Sequence, residues 1–252
     1  MSPTADVEDF DAQVASVAAL GDRVRRALYR YVVAQPEPVS RDQAAAGTGV
    51  AHHIAKFHLD KLETDGLLES EYSRPPGRSG PGAGRPAKLY RRANREITVS
   101  LPARHYDLAA RVMAEAITSA SASGAPLAET LHQAARDTGR ALGLQALQVT
   151  GTRRGRTVAI KAITQVLAAN GYEPRTSDAG ITLANCPFHS LSQDYTDLVC
   201  GMNLDLIDGL IHSVGKSTLR AVLTPAPNRC CVTLANSTEA GRAAVQEKRD
   251  HR

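Results

Sequence analysis

Twelve successive positions, Pro75-Pro76-Gly77-Arg78-Ser79-Gly80-Pro81-Gly82-Ala83-Gly84-Arg85-Pro86, are incompatible with a helix or a sheet ladder. Proline removes an amide donor and fixes φ, and each glycine gives up extra chain entropy when it is ordered. A folded chain can carry such a run only as a loop between elements. Its flanks read as strands: Leu67-Leu68-Glu69-Ser70-Glu71-Tyr72 before it and Lys88-Leu89-Tyr90-Arg91 after it. The run therefore predicts a hairpin with a long loop. From Arg74 through Arg95 the charged residues are Arg74, Arg78, Arg85, Lys88, Arg91, Arg92 and Arg95, with no acid among them. A patch of one sign in a chain whose net charge is only +4 is the footprint of phosphate contact.

The residues ahead of the hairpin give it a context. Val14, Val17, Leu20, Val24, Leu28, Tyr31 and Val32 recur at helical spacing, with a break at Gly21-Asp22. Gln35-Pro36-Glu37-Pro38 stops the helix. Ser40 is placed to cap a short helix over 41–46, with Gln43 at the capping-box position. Gly47-Thr48-Gly49 turns the chain into a helix over 51–64, which ends at Asp65-Gly66. The order is helix, short helix, turn, helix, then hairpin: a winged helix-turn-helix. Such folds set the start of the second helix in the major groove. The expected contacts to a double-stranded DNA operator are Ser40, Gln43, His52, His53 and Lys56, with Arg78, Arg85 and Lys88 on the wing. Ile54, Leu59 and Leu62 are expected to pack inward. His52, His53 and His58 share one helix but lack a Cys or carboxylate set that would make them a metal site.

Past a connector at Ile97-Pro102, helices are expected over 103–120, 126–142 and 156–170. A strand pair follows around Ser177-Asp178-Ala179-Gly180, then helices over 191–199 and 202–214 and strands over 219–224 and 230–234. The fold class is α+β: a winged-helix domain over 12–98 and an α+β sensor and dimerisation domain over 99–237, with 1–11 and 238–252 expected to be flexible. Long Ala-rich helices beside a winged helix suit a homodimer interface.

All four cysteines, Cys186, Cys200, Cys230 and Cys231, fall in the second domain. Cys186, Cys200 and the adjacent pair Cys230-Cys231 are separated by whole elements, unlike the cysteines of a zinc ribbon, which come in pairs about two to four residues apart. If Val232 and Leu234 mark the inward strand face, Cys230 is in phase with them, and Cys231 remains the alternative. Three thiolates and one other ligand suit either an iron–sulfur cluster or a Cys₃His zinc ion. His189 is the nearest fourth ligand; Asp194, Asp197 or water are the others. The competing reading of these cysteines is that of small buried apolar residues.

Two sets of motifs carry a resemblance. Gly47 through Leu68, with His58-Leu59, Leu62-Glu63 and Gly66-Leu67-Leu68, resembles the winged helix of ArsR-like repressors. Gly84-Arg85-Pro86-Ala87-Lys88-Leu89-Tyr90 is similar to the wing of the SufR-type branch, and the segments around Cys186-Pro187-Phe188-His189, Cys200-Gly201-Met202-Asn203 and Cys230-Cys231-Val232 resemble its cysteine set. The resemblance implies that three of the cysteines bind an iron–sulfur cluster and that the protein regulates transcription, probing cluster or redox status. Zinc with a small organic effector is the alternative.

Other classes find little footing. Residues 1–11 are acidic and lack the basic-then-apolar layout of a signal peptide, and no apolar run reaches membrane-span length. The expectation is a cytoplasmic protein, where thiols stay reduced and favour metals or catalysis over disulfides. Cys200 and His189 have the chemistry of a nucleophile and its base, but no oxyanion hole is in view, so no enzyme is expected. Gly151-Thr152-Arg153-Arg154-Gly155-Arg156 lacks the Gly-Lys-Ser/Thr ending of a nucleotide loop and reads as the start of a helix. Aromatics make up only 4% of the chain and Trp is absent, so the cores must be aliphatic and Ala-rich.

Overall fold

The structure, a computed structural model, describes residues 3–73, 86–150, 155–215 and 218–236. They divide into two compact units, one from Thr4 to Val99 and one from Ser100 onward.

The first unit contains helices α1 (Pro3–Ala19), α2 (Arg23–Val33), α3 (Arg41–Thr48) and α4 (His52–Thr64) and strands β1 (Val39–Ser40), β2 (Leu68–Ser73) and β3 (Ala87–Arg92). The three strands form an antiparallel sheet in the order β1-β3-β2, with Tyr90 facing Val39 on one side and Ser70 on the other. Local chemistry sets the boundaries. The Asp22 side chain accepts from the Arg25 amide and starts α2. Gly49, at φ 68°, ends α3 in the left-handed conformation that glycine adopts without strain. Leu28, Val32, Ala55, Leu59, Leu62 and Tyr90 form the core of this unit.

The chain is helical from Pro3, so the flexible lead expected over 1–11 is corrected for residues 3–11. Proline suits a first helical position, where its missing amide donor has no intrahelical partner to lose. Residues 238–252 lie outside the described residues.

The second unit contains α5 (Tyr106–Ser123), α6 (Leu127–Thr150), α7 (Arg156–Ala169), α8 (His189–Asp194) and α9 (Thr196–Val214). Its strands are β4 (Pro174–Ser177), β5 (Gly180–Leu183), β6 (Leu219–Leu223) and β7 (Val232–Asn236), in the antiparallel order β4-β5-β7-β6. The mixed content agrees with an α+β class. Leu183, Phe188, Leu206, Ile207 and Val232 are fully or almost fully buried in its core. Each such side chain contributes on the order of 1.5–3 kcal/mol relative to exposure.

Helices α6 and α9 meet backbone to backbone. A Cβ on Gly139 would stand 1.8 Å from the Leu206 carbonyl oxygen, and one on Gly209 would stand 2.1 Å from that of Arg136. Beside this crossing the buried Asp205 carboxylate of α9 accepts from Arg136 of α6 at 2.7 Å and also bonds His132. This close crossing positions α9, the helix that carries Cys200 and Asn203.

Candidate functional sites

The first site is the outer face of α4. Ala55, Leu59 and Leu62 face the core, while His52, His53, Lys56 and Phe57 are exposed. His52 lies 3.1 Å from the Asp42 carboxylate. Ile54, expected to pack inward, is 38% exposed; the inward position of that turn belongs to Ala55 instead. The reason is phase: Ala55, Leu59 and Leu62 recur at steps of four and three, and Ile54 falls outside that stripe.

Three further residues expected to contact DNA have specified intramolecular partners. Ser40 and Gln43 satisfy each other's backbone amides in a capping box, with Gln43 N donating to Ser40 Oγ at 3.2 Å and Ser40 N to Gln43 Oε1 at 2.9 Å. Lys88 is turned into the unit, its side chain only 15% exposed. Its ammonium donates to Asp60 at 2.9 Å and to Glu63, two carboxylates that compete with phosphate for its charge. Arg78 and Arg85 lie outside the described residues.

The Lys88 contacts belong to a larger network. Arg41 donates to both Asp60 and Tyr90 Oη, Tyr90 Oη donates to Asp60, and Ser70 Oγ donates to Glu63. Burial alone would raise the Asp60 pKa, but hydrogen bonds from Tyr90, Lys88 and Arg41 prevail and hold it at about 2. Tyr90 is pushed up to about 12, by burial first and then by its bond to Asp60. The network ties the C-terminal half of α4 to α3 and the sheet and does not extend to Lys56 or Phe57 in its first half. Asp60 and Glu63 at i, i+3 on the helix, with Lys88 and Tyr90 at i, i+2 on the strand, form a pattern readable in the sequence that had gone unused.

The second site lies wholly within the second unit. Cys186, Cys200, Cys230 and Cys231 all line one cavity of about 530 Å³, with His189 and Arg229 also at its wall. Cys186 sits between β5 and α8. Its carbonyl accepts from Arg104 at 3.0 Å, and Arg104 also bonds Asn185, which in turn donates to Gly171 O at 2.6 Å. Cys200 lies one turn inside α9, so the helix break expected near it falls earlier, at Tyr195. Cys230 is fully buried, in phase with Val232 and Leu234, and its amide donates to Leu183 O at 2.9 Å. Cys231 is half-buried, and its carbonyl accepts from Thr224 N at 2.7 Å, closing the 225–229 loop along the cavity.

A neutral relay supports the deepest sulfur. Tyr172 Oη donates to Asn203 Oδ1 at 2.5 Å, and Asn203 Nδ2 donates to Cys230 Sγ at 3.3 Å. The Phe188 ring packs edge-on against Tyr172 at 6.2 Å. The thiols also interact with one another. The hydrogen bond from Cys230 lowers Cys186, and the same donor pulls Cys231 down to about 6. Bonds to Cys186 and Cys231 keep Cys230 protonated, while burial pushes Cys200 up to about 12. Cys186 and Cys231 are thus the thiols shifted downward, and Cys200 and Cys230 those shifted upward.

Both members of the vicinal pair reach the cavity. His189, exposed at the start of α8, reaches its rim, whereas Asp194 and Asp197 do not line it. Among the described residues no group of three His, Cys, Asp or Glu side chains has the geometry to hold a single metal ion. Sequence reasoning missed Asn203 and Tyr172, because only the folded chain brings these residues to Cys230.

Among the described residues no helix is long and apolar enough to cross a membrane. No curated protein and no solved structure matches the chain. Residues 20–71 match a helix-turn-helix domain family, spanning α2 through α4 and into β2. The chain thus carries the helix-turn-helix domain of a DNA-binding transcriptional regulator.

Proposed function

We propose that the protein is a homodimeric transcriptional repressor that binds an operator through the start of α4 and the basic wing, and that its second unit holds an iron–sulfur cluster. The observation that carries the cluster reading is the gathering of Cys186, Cys200, Cys230 and Cys231 from three separated segments into one cavity. Thiols that converge on one cavity from separated segments suit a cluster, which offers several irons to ligate. Cys186 and Cys200 would ligate from opposite elements, and one of Cys230 and Cys231 would supply the third sulfur. His189 is the protein ligand nearest to hand for a fourth position. When bound, the cluster would supply one-electron redox chemistry and sensitivity to oxidants.

The chain's own residues prepare the site. Asn203 and Tyr172 hold the Cys230 sulfur, and Arg104 fixes the turn at Cys186. On α1, Phe10, Val14 and Val17 are 42%, 39% and 49% exposed at one-turn spacings, an apolar stripe that supports the dimer. Coupling to DNA requires that the cluster-bound and cluster-free forms differ in operator affinity, since a ligand shifts an equilibrium only by its differential affinity.

Protein purified without oxygen is expected to absorb visible light, to contain iron and sulfide, and to lose both on Cys186→Ser or Cys200→Ser. Colourless protein with stoichiometric zinc would replace the cluster with a structural zinc site and point to a separate organic effector.

A further inference from the structure

We propose that α4 selects its operator partly by apolar contact, with Phe57 and Ile54 packing on the 5-methyl groups of thymine in the major groove. The inference rests on the reading that duplex DNA is the ligand of this helix. Its starting point is an anomaly of exposure. Phe57 is 67% exposed and Ile54 38%, although both are large and apolar and lie on the helix that a helix-turn-helix domain presents to DNA.

Position on the helix explains the exposure. At about 100° per residue, Phe57 falls opposite the buried stripe of Ala55, Leu59 and Leu62, and so points straight out of the unit. His53 and Lys56, both exposed, lie on one flank of it, and Ile54 lies on the other. Scattered surface apolar residues are ordinary. Here, however, two lie side by side on the reading face itself, flanked by two donors on one side, and residues 51–59 contain no acid.

The rest of the helix is unsuited to reading. Asp60 and Glu63 sit in its C-terminal half, bound to Arg41, Lys88, Tyr90 and Ser70. The first two turns are therefore the part free to enter the groove, as helix-turn-helix docking requires. There thymine alone offers a methyl group, and side chains such as phenylalanine recognise it by contact. Ile54 and Phe57 are about 4.5 Å apart along the helix axis. That exceeds the ~3.4 Å step between base pairs, so the two side chains reach methyl groups on neighbouring steps. His53 and Lys56 add donors to base-edge or phosphate acceptors beside them.

The test uses the full chain. Preferred duplexes are selected from a randomised pool, and each thymine in the selected sequence is then replaced by deoxyuridine, which removes only the methyl group. The expected result is thymine enrichment at one or two positions where uracil weakens wild-type binding about fourfold, the equivalent of burying about one methyl-sized group. Phe57→Ala should bind the thymine and uracil duplexes alike at one of those positions, while Lys56→Ala should remain sensitive to the replacement. Truncating a side chain this exposed spares the core, which an unchanged melting temperature would verify. Equal wild-type affinity for thymine and uracil duplexes at every position would overturn the inference while leaving DNA binding intact. A selection that enriches no duplex would overturn the DNA reading together with it.

Discussion

The two units solve the same problem, that of fixing polar side chains inside a fold, in opposite ways. In the first, Asp60, Glu63, Arg41 and Lys88 form an ionic network whose carboxylates still touch water, the Asp60 side chain being 37% exposed. In the second, Tyr172, Asn203 and Cys230 form a neutral relay sealed from solvent. The contrast follows from the cost of desolvation. A charge near the surface keeps part of its hydration, whereas a fully buried one must recover all of it from its partners. The helix proposed to read DNA is anchored by charges, and the sulfur that would hold a cofactor is anchored by dipoles.

The largest effect is expected where the sealed unit is tightest. Gly209→Val would drive a side chain into the Arg136 carbonyl and should cost about 3 kcal/mol or more. Calorimetry should show the transition of the second unit falling while that of the first stays in place; a single transition that shifts as a whole would break the division between them. Next comes Asn203→Leu, which leaves the Tyr172 hydroxyl buried without its acceptor. A loss of about 1–3 kcal/mol is expected, partly recovered by adding Tyr172→Phe, since removing both partners costs less than orphaning one. Denaturant melts of the single and double variants measure this, and additive losses would show that the relay is not a unit.

The smallest effect should come from the ionic side, and it should depend on pH. The folded Asp60 pKa, about 2, lies below its ordinary 3.8, so its contribution is fully present above about pH 4 and disappears as pH falls through about 2. Solvent screening of a carboxylate this exposed keeps the contribution modest. Melting temperature followed from pH 5 to pH 2 should fall less steeply for Asp60→Asn than for the wild type. Parallel curves would remove Asp60 from the ionic anchor.

How much of this was legible depended on the range of the interactions involved. The helix-turn-helix was readable because each boundary has a local cause: the Ser40–Gln43 box, the prolines at 36 and 38, the left-handed Gly49. Ile54 was misread because one position of helical phase separates a core residue from a surface one. The sign of Lys88 suggested phosphate, and its intramolecular partners stayed hidden because Asp60 and Glu63 lie more than twenty residues earlier. In the second unit the cysteines were visible as a group, but their meeting depends on β7 pairing with β5 and on α9 packing against β6 and β7. No local pattern encodes that pairing, and Asn203 and Tyr172 could not be connected to Cys230 without it. Strand phase placed Cys230 inward, as found, yet it could not show that Cys231 would reach the same cavity from the other side.

The glycine crossing of α6 and α9 has a mechanical consequence. Arg136 contributes to it twice, through the carbonyl that any Cβ at Gly209 would strike and through the guanidinium that grips Asp205. With no side chains between the backbones there is no compressible layer to absorb a displacement. A displacement imposed on Cys200 near the start of α9 is therefore expected to pass into α6 rather than be absorbed at the crossing.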